Sequence, residues 1–283
     1  MNRRSFLGAA LCGAFAASRP AGPGHALAPH DRRRLSRVGL QLYTVRAELA
    51  ADFEGTLARV AALGFREVEF AGYHGRAPSE IRAALRRHGL LAPSAHVTTA
   101  GLRDGLGSAV EAALVLGHRY LVCGYVPEEE RRSLDDYRRL AELLDRAGER
   151  TRRAGLQLCY HNHDFEFEAV GGQAPYDLLL ARADARLVKM QLDLYWIAKA
   201  GRSPLEYFSK HAGRFPSLHV KDMDATPRRS FTEVGRGVID FKAVFAAAAR
   251  AGVRHYFVEQ DETPGSPFES ARVSLDYLRR LRF

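Results

Sequence analysis

The chain is expected to fold as an α/β protein, a single (β/α)8 barrel preceded by an export signal. Three observations carry that expectation. Eight short apolar runs alternate with eight longer amphipathic ones. Glycine stands between a helical run and the next strand at Gly64, Gly89, Gly117, Gly155 and Gly252, where a helix needs a left-handed C-terminal residue. Polar residues recur at the C-terminal ends of the apolar runs.

The units follow one another along the chain. Val38–Tyr43 reads as the first strand and Asp52–Leu63 as the first helix. Glu67–Phe70 precedes a helix around Ser79–His88, and Leu91–Val97 precedes one over Leu106–Leu116. Tyr120–Cys123 leads to a long charged helix, Glu128–Ala154. Leu156–His161 pairs with Tyr176–Arg182, and Val188–Asp193 with Pro204–His211. Ser217–Val220 leads to Phe241–Ala251, and Tyr256–Gln260 to the closing helix Pro267–Leu281. Such alternation implies parallel strands, right-handed crossovers and closure. An open doubly wound sheet is the competing architecture, but no Gly-rich dinucleotide loop follows the first strand.

With 283 residues, 46% of them hydrophobic, the chain can bury one large core. The expected organisation is an export signal over residues 1–28, a linker over 29–36 and the barrel over 37–283. The formal net charge of +9 suggests a nucleic-acid partner until it is located. Residues 1–37 hold seven arginines against Asp31, so six of the nine excess charges lie there. The barrel is close to neutral, and no nucleic-acid partner is expected. Arg3-Arg4-Ser5-Phe6-Leu7 followed by the apolar run to Ala17 resembles a twin-arginine export signal. The run is too short to span a bilayer, so no stable membrane anchor is expected after export to the periplasm. Ala26-Leu27-Ala28 fits a cleavage site. Cys123 and Cys159 sit in apolar runs and read as buried free thiols rather than a disulfide.

In such a barrel the active site lies at the C-terminal ends of the strands. Gln41 and Glu69 belong to the first two strands, and His96 ends the third. His161, Asn162 and His163 end the fifth, and Asp193 the sixth. His219, Lys221 and Asp222 end the seventh, and Glu259, Gln260 and Asp261 the eighth. So many ionisable groups at one end of an apolar barrel would be destabilising without counter-charge. One divalent metal ion resolves this, and two imidazoles with two carboxylates suit Mn, Co, Zn, Fe or Ni better than Mg or Ca.

Several segments in order resemble a known family. They are Val38-Gly39-Leu40-Gln41-Leu42-Tyr43-Thr44, Tyr160-His161-Asn162-His163-Asp164-Phe165-Glu166-Phe167, Gln191-Leu192-Asp193-Leu194-Tyr195-Trp196, His219-Val220-Lys221-Asp222, Val234-Gly235-Arg236-Gly237 and Val258-Glu259-Gln260-Asp261. From about residue 36 onward the chain resembles the sugar phosphate isomerase/epimerase family, the xylose-isomerase-like TIM barrels of the endonuclease-IV-like superfamily. The resemblance implies a metal held by His161, Asp193, His219 and Glu259. It also implies isomerase or epimerase chemistry on a small carbohydrate, keto-sugar or polyol through a metal-stabilised enediolate. His161 stands where many relatives carry Glu, and Trp196 where many carry His. A metal-held imidazole is a poor base because its lone pair is committed. This departure favours the alternative of β-elimination from a keto-sugar or keto-inositol, a lyase or dehydratase.

The residues expected to act are Glu259 and His161, with Lys221 supporting developing negative charge. Tyr43, Glu69, His96, His163, Trp196 and Arg236 are expected to contact substrate. Trp196 has a second reading as packing over the mouth, and His163 as orienting His161 or Asp193. Two further classes stand against the enzyme of sugar chemistry: an endonuclease-IV-like nuclease, and a non-catalytic binding barrel. A homo-oligomer is compatible with all of them.

Overall fold

The computed structural model describes residues 33–283; the expected export signal and linker residues 29–32 lie outside the described residues. The barrel strands are β1 (Gly39–Gln41), β2 (Glu67–Phe70), β3 (Leu91–Val97), β4 (Tyr120–Cys123), β5 (Gln157–His161), β6 (Val188–Asp193) and β7 (Ser217–Val220). A small antiparallel ribbon follows, β8 (Asp222–Met223) with β9 (Phe231–Thr232), before the eighth barrel strand, β10 (His255–Val258). The strands close in the order β1-β10-β7-β6-β5-β4-β3-β2, every neighbouring pair parallel. Five of the expected strands match residue for residue, because fully buried parallel strands read as short apolar runs bounded by turn residues.

The outer helices are α1 (Arg46–Ala51), α2 (Phe53–Leu63), α3 (Pro78–Arg87), α4 (Thr99–Asp104), α5 (Leu106–Leu116), α6 (Leu134–Arg153), α7 (Pro175–Arg182), α8 (Leu194–Lys199), α9 (Pro204–Lys210), α10 (Phe241–Ala251) and α11 (Pro267–Arg280). The expected helix Glu128–Ala154 is two elements instead. Ser133 Oγ accepts from the backbone N–H of Asp136, whose carboxylate accepts from the Ser133 N–H at 2.8 Å. This capping box starts α6 at Leu134 and leaves Glu128–Glu130 as a separate 3-10 turn. Three short helices, α1, α4 and α8, were not expected. Thr98 caps α4 and Asp193 caps α8, each through its side-chain oxygen. The first strand is also shorter than expected. Gln41 Oε1 accepts from the Tyr43 N–H at 3.1 Å, which turns the chain into a 3-10 helix and lifts Tyr43 out to the barrel mouth.

Most buried apolar side chains lie between the strands and the helices, where α6 contributes Tyr137, Leu140, Leu144 and Ala147 at helical spacing. Inside the barrel Tyr120, Val122 and Cys159 form a second, small cluster. Beside it Phe257 fills the axis against Gly39, where a Cβ would fall 2.5 Å from the ring. Cys123 and Cys159 are both free and buried, and burial pushes both thiols up. No helix among the described residues is long and apolar enough to cross a membrane.

Candidate metal centre

Asp193 is the last residue of β6, and its two oxygens have different duties. Oδ1 accepts from the Trp196 N–H at 2.9 Å, starting α8. Oδ2 is buried and has no hydrogen-bond partner. Its backbone N–H donates to Asn162 Oδ1 at 3.0 Å, which ties the end of β6 to the end of β5. Across the mouth, His219 Nδ1 lies 2.6 Å from Glu259 Oε2 and 3.9 Å from Asp193 Oδ2. All three residues are buried, and these three atoms lack a correctly directed hydrogen bond.

Buried polar atoms are almost always paired, so three orphans converging on one point call for an explanation. A divalent cation supplies it. Asp193, His219 and Glu259 each offer a ligand atom, and these atoms all lie within 4.8 Å of one another. The expected fourth ligand, His161, is adjacent: its Nε2 is 3.9 Å from Asp193 Oδ2, and its Nδ1 is an orphan. His161 groups more tightly with His96 and His219 than with the carboxylates. One nitrogen and two oxygens, with an imidazole beside them, fit a divalent ion of the Mn–Zn series.

Beneath these atoms is a polar layer organised by Glu69. Its Oε1 accepts from Gln41 Nε2 at 2.7 Å and lies 2.5 Å from His219 Nε2. Its Oε2 accepts from Gln191 Nε2 at 2.7 Å and from the Ser94 hydroxyl. Burial opposes the charge on Glu69, but His96 and His219 hold its carboxyl well below the usual range. Glu69 is fully buried, so it orients His219 rather than contacting substrate, a correction to the sequence expectation. With Nε2–H donated to Glu69, His219 presents Nδ1 to a cation. His96 Nε2 lies 2.8 Å from Gln191 Oε1, and a Cβ on Gly124 would collide with the His96 ring.

Lys221 Nζ lies 2.7 Å from Asp261 Oδ1, 2.8 Å from Glu259 Oε2 and 3.2 Å from Asp193 Oδ2. None of these three oxygens has a directed hydrogen bond, so the attraction is Coulombic. Burial works against the Lys221 charge, and the three carboxylates outweigh it, holding the ammonium protonated. The same balance pulls Glu259 down, through Lys221 and His219 acting against burial. Burial pushes Asp261 up to about 6 and His163 down to about 3, and also lowers His161. His161 and His163 are therefore neutral imidazoles at neutral pH. Burial alone would lower His219, but the carboxylates of Glu259 and Glu69 push it up to about 10.

A cleft of about 360 Å³ opens above these groups. Of the expected residues, Tyr43, His96, His161, His163, Lys221 and Glu259 line it. Asp193 and His219 lie beneath it. Trp196 stands behind His163, with ring centroids 5.5 Å apart, in a cage with Tyr195 and Phe231. Packing, not substrate contact, is the reading the structure supports for Trp196. Arg236 is away from the cleft: its guanidinium is exposed and pairs with Glu233 at 3.2 Å. Its loop is pinned by Asp222, which accepts from the N–H groups of Met223, Gly235, Gly237 and Ile239. Tyr125 and Thr98 also line the cleft and were not singled out from the sequence, and Asp261, named there as a strand-end residue, was given no role. Asp261 follows Glu259 by two residues, the same-face spacing of a strand, and that was the available signal.

A closed parallel barrel with a His/Asp/Glu cluster that could hold a metal ion at the carboxyl ends of its strands places the chain among the TIM-type α/β barrels. The chain belongs to the xylose isomerase-like TIM barrel family, whose profile matches residues 57–281. It is 29% identical over 163 residues to an inosose dehydratase of Lacticaseibacillus casei, a match covering 51% of this chain and 54% of that protein. The chain thus spans about half the length of the first curated relatives it matches. An inosose dehydratase of Bacillus thuringiensis (strain Al Hakam) is 25% identical over 273 residues, covering 82% of this chain and 91% of the relative. Among solved structures, a sugar phosphate isomerase/epimerase from Parabacteroides distasonis superposes with a TM-score of 0.77 at 25% identity, covering 87% of this chain and 96% of that one. An IOLI protein with a bound zinc atom, 13% identical with a TM-score of 0.69, shares the fold.

Proposed function

We propose that the chain is a metal-dependent lyase that removes a β-substituent from a small, neutral, cyclic keto-sugar or keto-polyol. The observation that carries this reading is the asymmetry of the cleft. Its carboxylates, Glu259 and Asp261, stand at the end of β10, drawn together by Lys221. Its imidazoles stand three strands away around the barrel in either direction, His161 and His163 at the end of β5 and His96 near the end of β3. Epimerisation by two bases needs matched proton carriers on opposite faces of one carbon. Elimination needs one base at the α-carbon and a different group near the departing oxygen.

A divalent ion held by Asp193, His219 and Glu259, with His161 beside them, would supply Lewis acidity toward the substrate carbonyl. Glu259, held ionised by Lys221 and His219, takes the α-proton. The Lys221 ammonium stabilises negative charge as it develops. His163, neutral and with an unpaired buried Nδ1, faces the leaving side. Tyr43 presents a ring at the mouth for an apolar sugar face. Lys221 is the one lysine or arginine among the described residues lining the cleft, and three carboxylates already surround it. A phosphate would find no free cation there, which supports a neutral substrate. The dehydratase relatives are consistent with this reading. The isomerase/epimerase reading draws on structural neighbours such as the Parabacteroides distasonis protein. Export through the twin-arginine route is part of the proposal, and cell fractionation of a tagged full-length chain tests it.

The deciding experiment combines metal analysis of the purified protein with NMR of ketoses, keto-glycosides and keto-inositols in deuterated water. An unsaturated product supports the lyase. Deuterium entering the α-position without elimination overturns it in favour of an isomerase or epimerase. A folded protein with no stoichiometric metal and no turnover overturns the enzyme reading.

A further inference from the structure

Beside the central cleft is a second hollow of about 280 Å³, lined by Leu42, Tyr43, Arg46, Ala71, Gly72 and His74. It shares Tyr43 and Ala71 with the cleft. Cavities that hold a small ligand alone run from about 300 to 1,000 Å³. The hollow falls just short of that range, so it serves as an annex of the cleft rather than a separate site.

Its walls carry the chemistry that recognises a hydroxylated ring. Tyr43 divides the two spaces and is 42% exposed. On one side the Arg46 guanidinium packs over the Tyr43 ring, 4.1 Å from its centre, and its Nη1 donates to the Tyr43 carbonyl at 2.9 Å. That bond fixes the guanidinium and leaves its other N–H groups free to donate. His74 faces the hollow from the loop after β2, with φ of 51°, one of two non-glycine residues with positive φ among those described. Such backbone is costly for a residue with a side chain and is kept where surrounding structure holds that side chain in place. Ala71 and Gly72, with the smallest side chains available, leave the floor between the walls open.

We infer that this hollow is a subsite for a second sugar ring, so that the substrate is a keto-sugar carrying another ring through a glycosidic link. The keto ring occupies the cleft above Glu259, Tyr43 contacts the junction, and Arg46 and His74 hydrogen-bond the hydroxyls of the second ring. The inference rests on the proposed elimination for the choice of substrate, but the subsite is measurable without turnover.

The test compares kcat/KM for a keto-disaccharide with that for the matching methyl keto-glycoside, in the full-length metal-loaded protein. Wild type is expected to prefer the disaccharide at least tenfold. Arg46→Ala and His74→Ala are each expected to cut that preference at least fivefold, with melting temperatures close to wild type. Equal kcat/KM for the two substrates in wild type, or an unchanged ratio in both variants, overturns the subsite. If neither substrate reacts, the elimination reading fails, and calorimetric titration with the unoxidised disaccharide and its methyl glycoside decides the subsite separately. Tighter binding of the disaccharide, lost in Arg46→Ala, supports it. Equal binding of the two sugars sinks it.

Discussion

The two ends of this barrel each hold a buried carboxylate against an imidazole, and they are built differently. At the floor, His255 Nδ1 and Glu67 Oε2 make a directed hydrogen bond of 2.8 Å, and Arg37 approaches the same carboxylate at 3.7 Å. At the mouth, His219 Nδ1 and Glu259 Oε2 are closer, at 2.6 Å, yet no hydrogen bond forms between them. The floor pair is satisfied by its partners and closes the barrel. The mouth pair is aimed at a shared point in space. Distance alone does not separate a structural ion pair from two ligands of one cation. Direction does, because a hydrogen bond needs the proton on the line between the atoms and coordination needs lone pairs that converge.

The largest expected effect sharpens this contrast. Glu259→Gln keeps an oxygen for the metal and removes the base, so kcat should fall by about 10²–10⁴ with metal content retained. Glu67→Gln, at the floor, should leave kcat within about threefold. Comparable losses in both, with both variants folded, would break the comparison. Next in size, Glu69→Gln weakens the orientation of His219, and metal affinity measured by competition with a chelator should drop about 10–100-fold. An unchanged affinity would remove Glu69 from that role. In the barrel axis, Gly39→Ala pushes a methyl group into Phe257 and should destabilise by about 1–3 kcal/mol in chemical denaturation, with metal affinity unaltered.

The smallest effect is a pH dependence beneath the mouth. Glu166 accepts from the Tyr160 hydroxyl at 2.5 Å and from the His163 N–H at 2.7 Å, and burial pushes its carboxyl up to about 7. The unfolded chain releases this proton near the ordinary glutamate value of about 4.3. Between that value and about 7 the folded state binds more protons than the unfolded one. Its contribution therefore declines as pH rises through this window and is constant above it. Melting curves at pH 5 and pH 8 should show a smaller decline for Glu166→Gln than for wild type.

The fold was legible in the sequence because buried parallel strands and amphipathic helices have different periods, and eight repeats of the contrast leave few architectures. The site was legible in part. Asp193, His219 and Glu259 were readable because strand ends in a barrel must meet. Depth along the axis was not. Glu69 and His96 look alike in one dimension, yet Glu69 sits a layer lower, where Gln41, Ser94 and Gln191 surround it. Arg236 failed as a substrate contact because the β8–β9 ribbon and the Asp222 hydrogen bonds carry its loop outward. The annex was invisible because only its Leu42–Tyr43 edge lies in a motif, while Arg46 and the loop after β2 that complete it carry none.

The double duty of Asp193 makes the protein its own indicator. One oxygen starts α8 and the other faces the ion position, so the first turn of that helix and the charge beside it respond together. That turn carries Trp196, the chain's single tryptophan, with an unpaired buried indole N–H and Lys221 Nζ 5.8 Å from its ring. Its emission spectrum is therefore expected to shift when metal is added to or chelated from the proposed centre, a test that needs no label or known substrate.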